Sequence, residues 1–202
     1  MTNNSAWNAY LQPNGVLKNL LEIEDVDKLA KVEYRTTMAR QDYLEQQHFS
    51  LPNGYQIRGE SIDDVLQIHG FLFDGLYSWA GKYRNVDMMK GQTSFLEAQF
   101  IGVAQGELNR ELAELATVRR GDKARLAHWL GQVISDFNYM HPFREGNGRT
   151  QRVWALALAY EKGFKFNLVP DQAMYDAYLQ ASIEDDAGMM QHVFEVYLEP
   201  LD

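Results

Sequence analysis

Cysteine is missing altogether from this 202-residue chain, which excludes disulfide staples, thiol nucleophiles and cysteine-ligated zinc. Proline occurs five times, and no Pro- or Ser-rich linker, internal repeat or low-complexity tract divides the sequence. No apolar run approaches the roughly 20 residues that a membrane-spanning helix needs. The opening MTNNSAWNAYLQPNG shows no basic region followed by an apolar core, the mark of a secretory signal. A cytoplasmic protein with no membrane association is therefore expected. Basic residues are outnumbered 19 to 28, for a net charge of −9, which disfavours direct nucleic-acid binding. Also missing are the GxxxxGK[ST] phosphate loop, GxGxxG, the zinc pattern HExxH and the GxSxG elbow, so nothing supports a familiar hydrolase or dehydrogenase.

What is present is the make-up of an ordinary globular domain, 46% hydrophobic and 23% charged, in a chain long enough for one substantial core. A single domain over residues 1–202 is expected, with residues 1–15 polar and loop-like and Pro13-Asn14-Gly15 marking a turn. The spacing of Val26, Leu29, Val32, Met38, Tyr43 and Leu44 predicts a helix over about 25–47. Ser61 and Asp64 read as a capping box opening a second helix, whose pattern runs to Gly81. Val86–Met89 and Thr93–Leu96 flank Lys90-Gly91-Gln92 as a short hairpin. Further helices are expected over about 98–117, 122–139, 148–162, 171–183 and 187–198, with Asp122 and Asp171 as N-caps. The run Val153-Trp154-Ala155-Leu156-Ala157-Leu158-Ala159 points to a central helix buried on nearly all sides. The fold class is thus all-α with one small hairpin.

The most informative stretch is HPFREGNGRTQR, from His141 to Arg152. Gly146 and Gly148 allow backbone N–H groups to approach an anion closely. A helix opening near Asn147 would aim its N–H groups and positive dipole end at that anion. Arg149 and Arg152, three residues apart, would share a helix face and could clamp phosphate oxygens. Glu145 is a hard oxygen ligand suited to Mg²⁺. His141 can act as a base near neutral pH. Arg144 stays unassigned, and the other histidines (His48, His69, His128 and His192) read by default as structural or surface residues.

This stretch matches at every defined position, and so resembles, the Fic family motif HPFx[D/E]GNGRxxR. WAGKYRNVDMMKGQTSF, from Trp79 to Phe95, resembles that family's flap, and the likeness extends from about Val16 to the last helix. The resemblance implies a Fic-like helical bundle and transfer of AMP from ATP onto a Tyr, Thr or Ser hydroxyl of a target protein. It implies His141 as catalytic base and Glu145 as the Mg²⁺ site. Gly146, Asn147, Gly148 and Arg149 would hold phosphate oxygens, and Arg152 would reach the γ-phosphate. Lys90, Gly91, Gln92 and Thr93 would belong to the nucleotide-binding flap on which the target docks, the bland alternative being a solvent-exposed hairpin tip. Transfer of UMP, phosphocholine or phosphoryl, or a non-catalytic ATP-binding module, are the competing readings.

Many family members carry an inhibitory [S/T]xxxE[G/N] helix whose Glu pairs with the second motif arginine, here Arg152. The chain offers only Thr93 to Glu97, followed by Ala98, and the near miss Ser182 to Asp186. The resemblance is therefore to the compact type restrained by a separate small antitoxin-like protein. Within the family, delivery to a host cell is the alternative to a cytoplasmic site of action.

Overall fold

Helix ends decide this architecture, because two of them meet at the motif. The computed structural model describes residues 4–90, 93–166 and 172–201. Its elements are α1 (Asn4–Asn8), α2 (Val26–Gln46), α3 (Asp63–Phe73), β1 (Met89–Lys90), β2 (Thr93–Ser94) and a 3₁₀ turn (Ala98–Phe100). They continue with α4 (Ile101–Ala116), α5 (Lys123–Met140), α6 (Asn147–Glu161), β3 (Phe164–Phe166), α7 (Gln172–Glu184), α8 (Ala187–Tyr197) and β4 (Leu198–Pro200). None of these helices is long and apolar enough to cross a membrane.

The mostly helical class and the central helix follow the sequence pattern. Residues Val153 to Ala159 of α6 are all buried, and α6 packs against α3, α5 and β3, while α5 is flanked by α4, α6 and α8. Asp25 and Asp122 cap α2 and α5 by accepting N–H bonds from Lys28 and Arg125. Asp171 lies outside the described residues, so its expected cap is not assessed. The hairpin pairs Met89 with Ser94 and Lys90 with Thr93; Gly91 and Gln92, at its tip, are outside the described residues.

Four expectations need correction. The Ser61–Asp64 capping box does not form: Asp64 accepts from the Gly59 N–H at 2.7 Å and the Tyr55 hydroxyl at 2.8 Å. Its buried carboxylate is used by the preceding loop instead. The helix pattern expected to reach Gly81 stops at Phe73, because Gly75 turns into the left-handed region at φ 69°. A second small sheet joins β3 to β4, Phe166 opposite Leu198, so the chain leaves α8 as a strand. The N-terminal segment contains helix α1 and a Leu11–Leu17 bridge rather than an open loop.

Helices α5 and α8 approach closely at Gly131. A Cβ there would lie 2.8 Å from the Gln191 backbone N and Cα, closer than packed atoms tolerate. Gly131→Ala should therefore cost about 1–3 kcal/mol of stability, read as a lower midpoint in urea unfolding. An unchanged midpoint would mean that α8 can shift without loss.

Candidate functional site

The polypeptide between α5 and α6 is one turn of irregular chain with its side chains directed to two jobs, anchoring and display. Phe143 is fully buried and anchors the loop. Its ring stacks on His69 with centroids 3.8 Å apart. The His69 Nδ1 accepts from the Gly81 N–H at 2.8 Å, and Nε2 lies 3.0 Å from the Glu145 carbonyl. That pairing assigns the Nε2–H tautomer, and burial drives the imidazole pKa down to about 3. His69, expected to be a structural or surface residue, is structural: a neutral strut beneath the motif. No local pattern could have exposed it, because its partners lie 12 and 76 residues away.

Asn147 also serves the loop. Its side-chain oxygen accepts from the Phe143 N–H at 2.8 Å, and its amide nitrogen donates to the Phe143 carbonyl at 2.7 Å. Both bonds tie the side chain to the Phe143 backbone. Gly146, at φ 85°, caps α6; a Cβ there would fall 2.2 Å from Phe73. Both backbone angle and space demand glycine. Gly148 differs: a Cβ would make only ordinary contact with Arg152, so the fold itself does not require its smallness. The first intrahelical acceptor is the Gly146 carbonyl, bonded by Thr150 N–H. The N–H groups of Asn147, Gly148 and Arg149 precede it and form the positive end of α6.

His141 is the C-terminal cap of α5, held in the left-handed region at φ 42°. Its ring stacks on Phe95 with centroids 3.7 Å apart, and Nδ1 lies 3.3 Å from the Asn138 carbonyl. A proton on Nδ1 makes Nε2 the basic atom. Arg84 fixes the surrounding backbone. Its guanidinium donates to the carbonyls of His141 (2.7 Å), Val86 (2.5 Å), Met140 (3.2 Å) and Leu96, and its own N–H donates to the Pro142 carbonyl at 2.8 Å.

A cleft of about 690 Å³ is lined by His141, Glu145, Gly148 and Arg152, together with Met88 and Tyr178. Asn147 and Gly146 also border it, so the structure brings most of the predicted site together. Arg149 is not part of that lining. Its guanidinium lies over the Phe73 ring, 4.8 Å from the centroid, and pairs with Glu33 of α2 and, at 3.2 Å, with Glu145. Glu33 is buried and also accepts from the Tyr77 hydroxyl. Sequence reasoning missed it, since a lone Glu on a helix carries no signal.

Glu145 directs Oε1 to the Gly146 N–H at 2.9 Å and to Arg149, which leaves Oε2 as the donor suited to a hard cation. Among the described residues no group of three His, Asp or Glu could hold a metal alone. A single carboxylate fits Mg²⁺ only when phosphate oxygens and water complete its shell. Neither near-miss inhibitory acid reaches Arg152. Glu97 accepts from Gln99, Asp186 caps α8, and Arg152 has no ion pair among the described residues. For the hairpin tip, only the backbone pairing of Lys90 and Thr93 is described.

Comparisons with known proteins point the same way. A family model described as the Fic/DOC family matches residues 60–159. The protein adenylyltransferase VbhT of Bartonella schoenbuchensis is 33% identical over 89% of this chain, which spans 36% of that protein's length. A probable protein adenylyltransferase Fic of Salmonella typhimurium is 30% identical over 77% of this chain and 74% of its own length. Among solved structures, the BepC protein of Bartonella tribocorum, crystallised with AMPPNP, superposes with a TM-score of 0.79. It is 21% identical, over 96% of this chain and 98% of that one, a likeness of fold.

His69 gives the site a pH signature. The unfolded imidazole titrates near 6.5 and the folded one near 3. Between those values the unfolded state binds more protons, so stability is present above about pH 6.5 and falls as pH drops. The limiting slope is about 1.4 kcal/mol per pH unit. The raised carboxyl of Glu111, held up to about 8 by burial and by Asp136, acts in the opposite sense. The readout is therefore the difference in unfolding free energy between wild type and His69→Gln from pH 6.5 to 5. It should shrink with acidification, and a flat difference would mean that His69 is not buried neutral.

Proposed function

The chain belongs to the Fic/DOC family, and from that premise we infer that it is a protein adenylyltransferase moving AMP from ATP to a target protein's hydroxyl. The observation that carries this reading is the convergence of His141, Glu145, the α6 N-terminus and Arg152 on one cleft. Nε2 of His141 takes the proton from a Tyr, Thr or Ser hydroxyl. That oxygen bonds to the α-phosphorus as the bond from the α-phosphorus to the oxygen bridging the α- and β-phosphates breaks, and pyrophosphate leaves with the electron pair. The N–H groups at the start of α6 face the charge that gathers on the α-phosphate. Arg152 is the cation for the far end of the triphosphate. Oε2 of Glu145 would hold Mg²⁺, which when bound neutralises phosphate charge.

We assign two of these residues differently from the resemblance. The Asn147 side chain and Arg149 act on the protein rather than on the nucleotide: one ties the loop, the other braces Glu145 from behind. Lys90, Gly91, Gln92 and Thr93 are assigned by resemblance to the flap over nucleotide and target, and Met88, Met89 and Phe95 from its stem line the cleft. The exposed hairpin edge suits an extended target segment adding as a strand. Arg152, open toward the cleft, suits a separate inhibitory protein supplying a glutamate. Cytoplasmic action or delivery into a host cell both remain compatible with this chemistry.

With labelled ATP and target lysate, wild type should leave one AMP per modified hydroxyl, identified by mass spectrometry. His141→Ala should reduce transfer by about 10²–10⁴ while binding ATP within a few-fold of wild type. Bound ATP with no covalent mark from wild type would replace the enzyme with a binding module.

Glu33 supplies a second test. Without its carboxylate, Arg149 neutralises Glu145 alone and makes it a poorer cation ligand. Glu33→Gln should raise the Mg²⁺ concentration for half-maximal transfer several-fold, with most of the rate regained at saturating Mg²⁺. Unchanged Mg²⁺ dependence would refute the bracing role.

A further inference from the structure

Four arginines sit in or beside the motif, Arg84, Arg144, Arg149 and Arg152, and their surroundings differ sharply. Arg84 is saturated by backbone carbonyls, and Arg149 is held between two carboxylates. Arg144, at the undefined position of the motif, is only 8% exposed. It forms no ion pair among the described residues, and its Nε is buried with no hydrogen-bond partner there. Desolvation by burial pulls its pKa below the ordinary guanidinium value.

What holds this charge is aromatic. The guanidinium carbon lies 3.8 Å from the centroid of Trp7 and 5.7 Å from that of Tyr10, a cation–π arrangement that recovers part of the desolvation cost. Both rings come from the N-terminal segment, which is tied down by the Tyr10 hydroxyl donating to Asn85 at 3.0 Å. Packing alone does not require the charge, since an apolar side chain of similar length could fill the same space. A buried, unpaired guanidinium is costly unless an anion joins it.

The cleft supplies the place for that anion. Arg144 and Trp7 both line it, as do Arg152 and the first residues of α6. Two guanidiniums without ion pairs among the described residues and one helix N-terminus on the same cleft suit a ligand with several negative charges. A single carboxylate would leave one guanidinium unpaired.

We propose that Arg144, oriented by Trp7 and Tyr10, binds a non-bridging phosphate oxygen of the nucleotide, so that the N-terminal segment is part of the nucleotide site. This rests on the nucleotide reading given above and adds a ligand contact to it. Arg144 touches the substrate, whereas Trp7 and Tyr10 are positioning residues that act through it.

The test is calorimetric titration of the full chain with MgATP and, separately, with adenosine. Arg144→Met should weaken MgATP binding about tenfold or more and leave adenosine within twofold. Arg144→Lys should recover part of the loss, because it restores charge without the planar fork. Trp7→Leu should weaken MgATP binding several-fold, and less so when Arg144 is already Met. Equal losses for MgATP and adenosine would make Arg144 a packing residue and overturn the assignment. So would unchanged MgATP affinity in Arg144→Met with a raised KM for the protein target, which would hand the guanidinium to an acidic side chain of the target. Wild type binding neither probe would remove the nucleotide reading itself and this contact with it. Unfolding midpoints of the variants, expected near or above that of wild type for Arg144→Met, separate lost binding from lost fold.

Discussion

Four backbone carbonyls converge on the guanidinium of Arg84, which ties the start of the loop carrying His141 to the hairpin. Helix α5 ends with acceptors that no later turn of helix can satisfy. Met140 and His141 carbonyls are two of them, and Arg84 takes both. The same side chain reaches Val86 and Leu96, on either side of the hairpin. One buried cation thereby couples the end of a core helix, the base of the hairpin and the start of the motif. Its charge suits the negative end of a helix dipole, and no neutral side chain offers that many donors in one plane.

The charge distribution is more selective than the net value of −9 suggests. Positive groups in and around the motif divide into those neutralised by the protein and those with no ion pair among the described residues. Arg149 belongs to the first group through Glu33 and Glu145, whereas Arg152 has no ion pair among the described residues. Acidic side chains elsewhere discourage nonspecific polyanions. The cleft can still favour a compact anion, since fields inside a partly enclosed site are screened less than at the open surface.

Periodicity and punctuation made the helices legible, because α2, α5 and α6 obey local rules of capping and apolar spacing. The motif was legible for the same reason: its glycines and His141 are adjacent in sequence. Legibility failed where a residue works through distant partners. Glu33 and Arg149 lie on different helices, His69 reads as any core histidine, and Trp7 sits in a segment that looked like loop. Asp64 had the spacing of a capping residue, but Tyr55 and Gly59 compete for its oxygens and win. The second sheet escaped notice because β3 and β4 are three residues each and pair across the last two helices.

The left-handed backbone of His141 carries a consequence for how such a site persists. A side chain with a Cβ at φ 42° stores about 1–3 kcal/mol of strain, part of which asparagine or glycine would release. Replacing this residue, proposed above as the base, by either one should thus yield a hardier protein in which transfer is strongly reduced. Folding stability alone does not favour a histidine at this position, and its presence fits the role proposed for it. The site is a place where durability and activity pull in opposite directions.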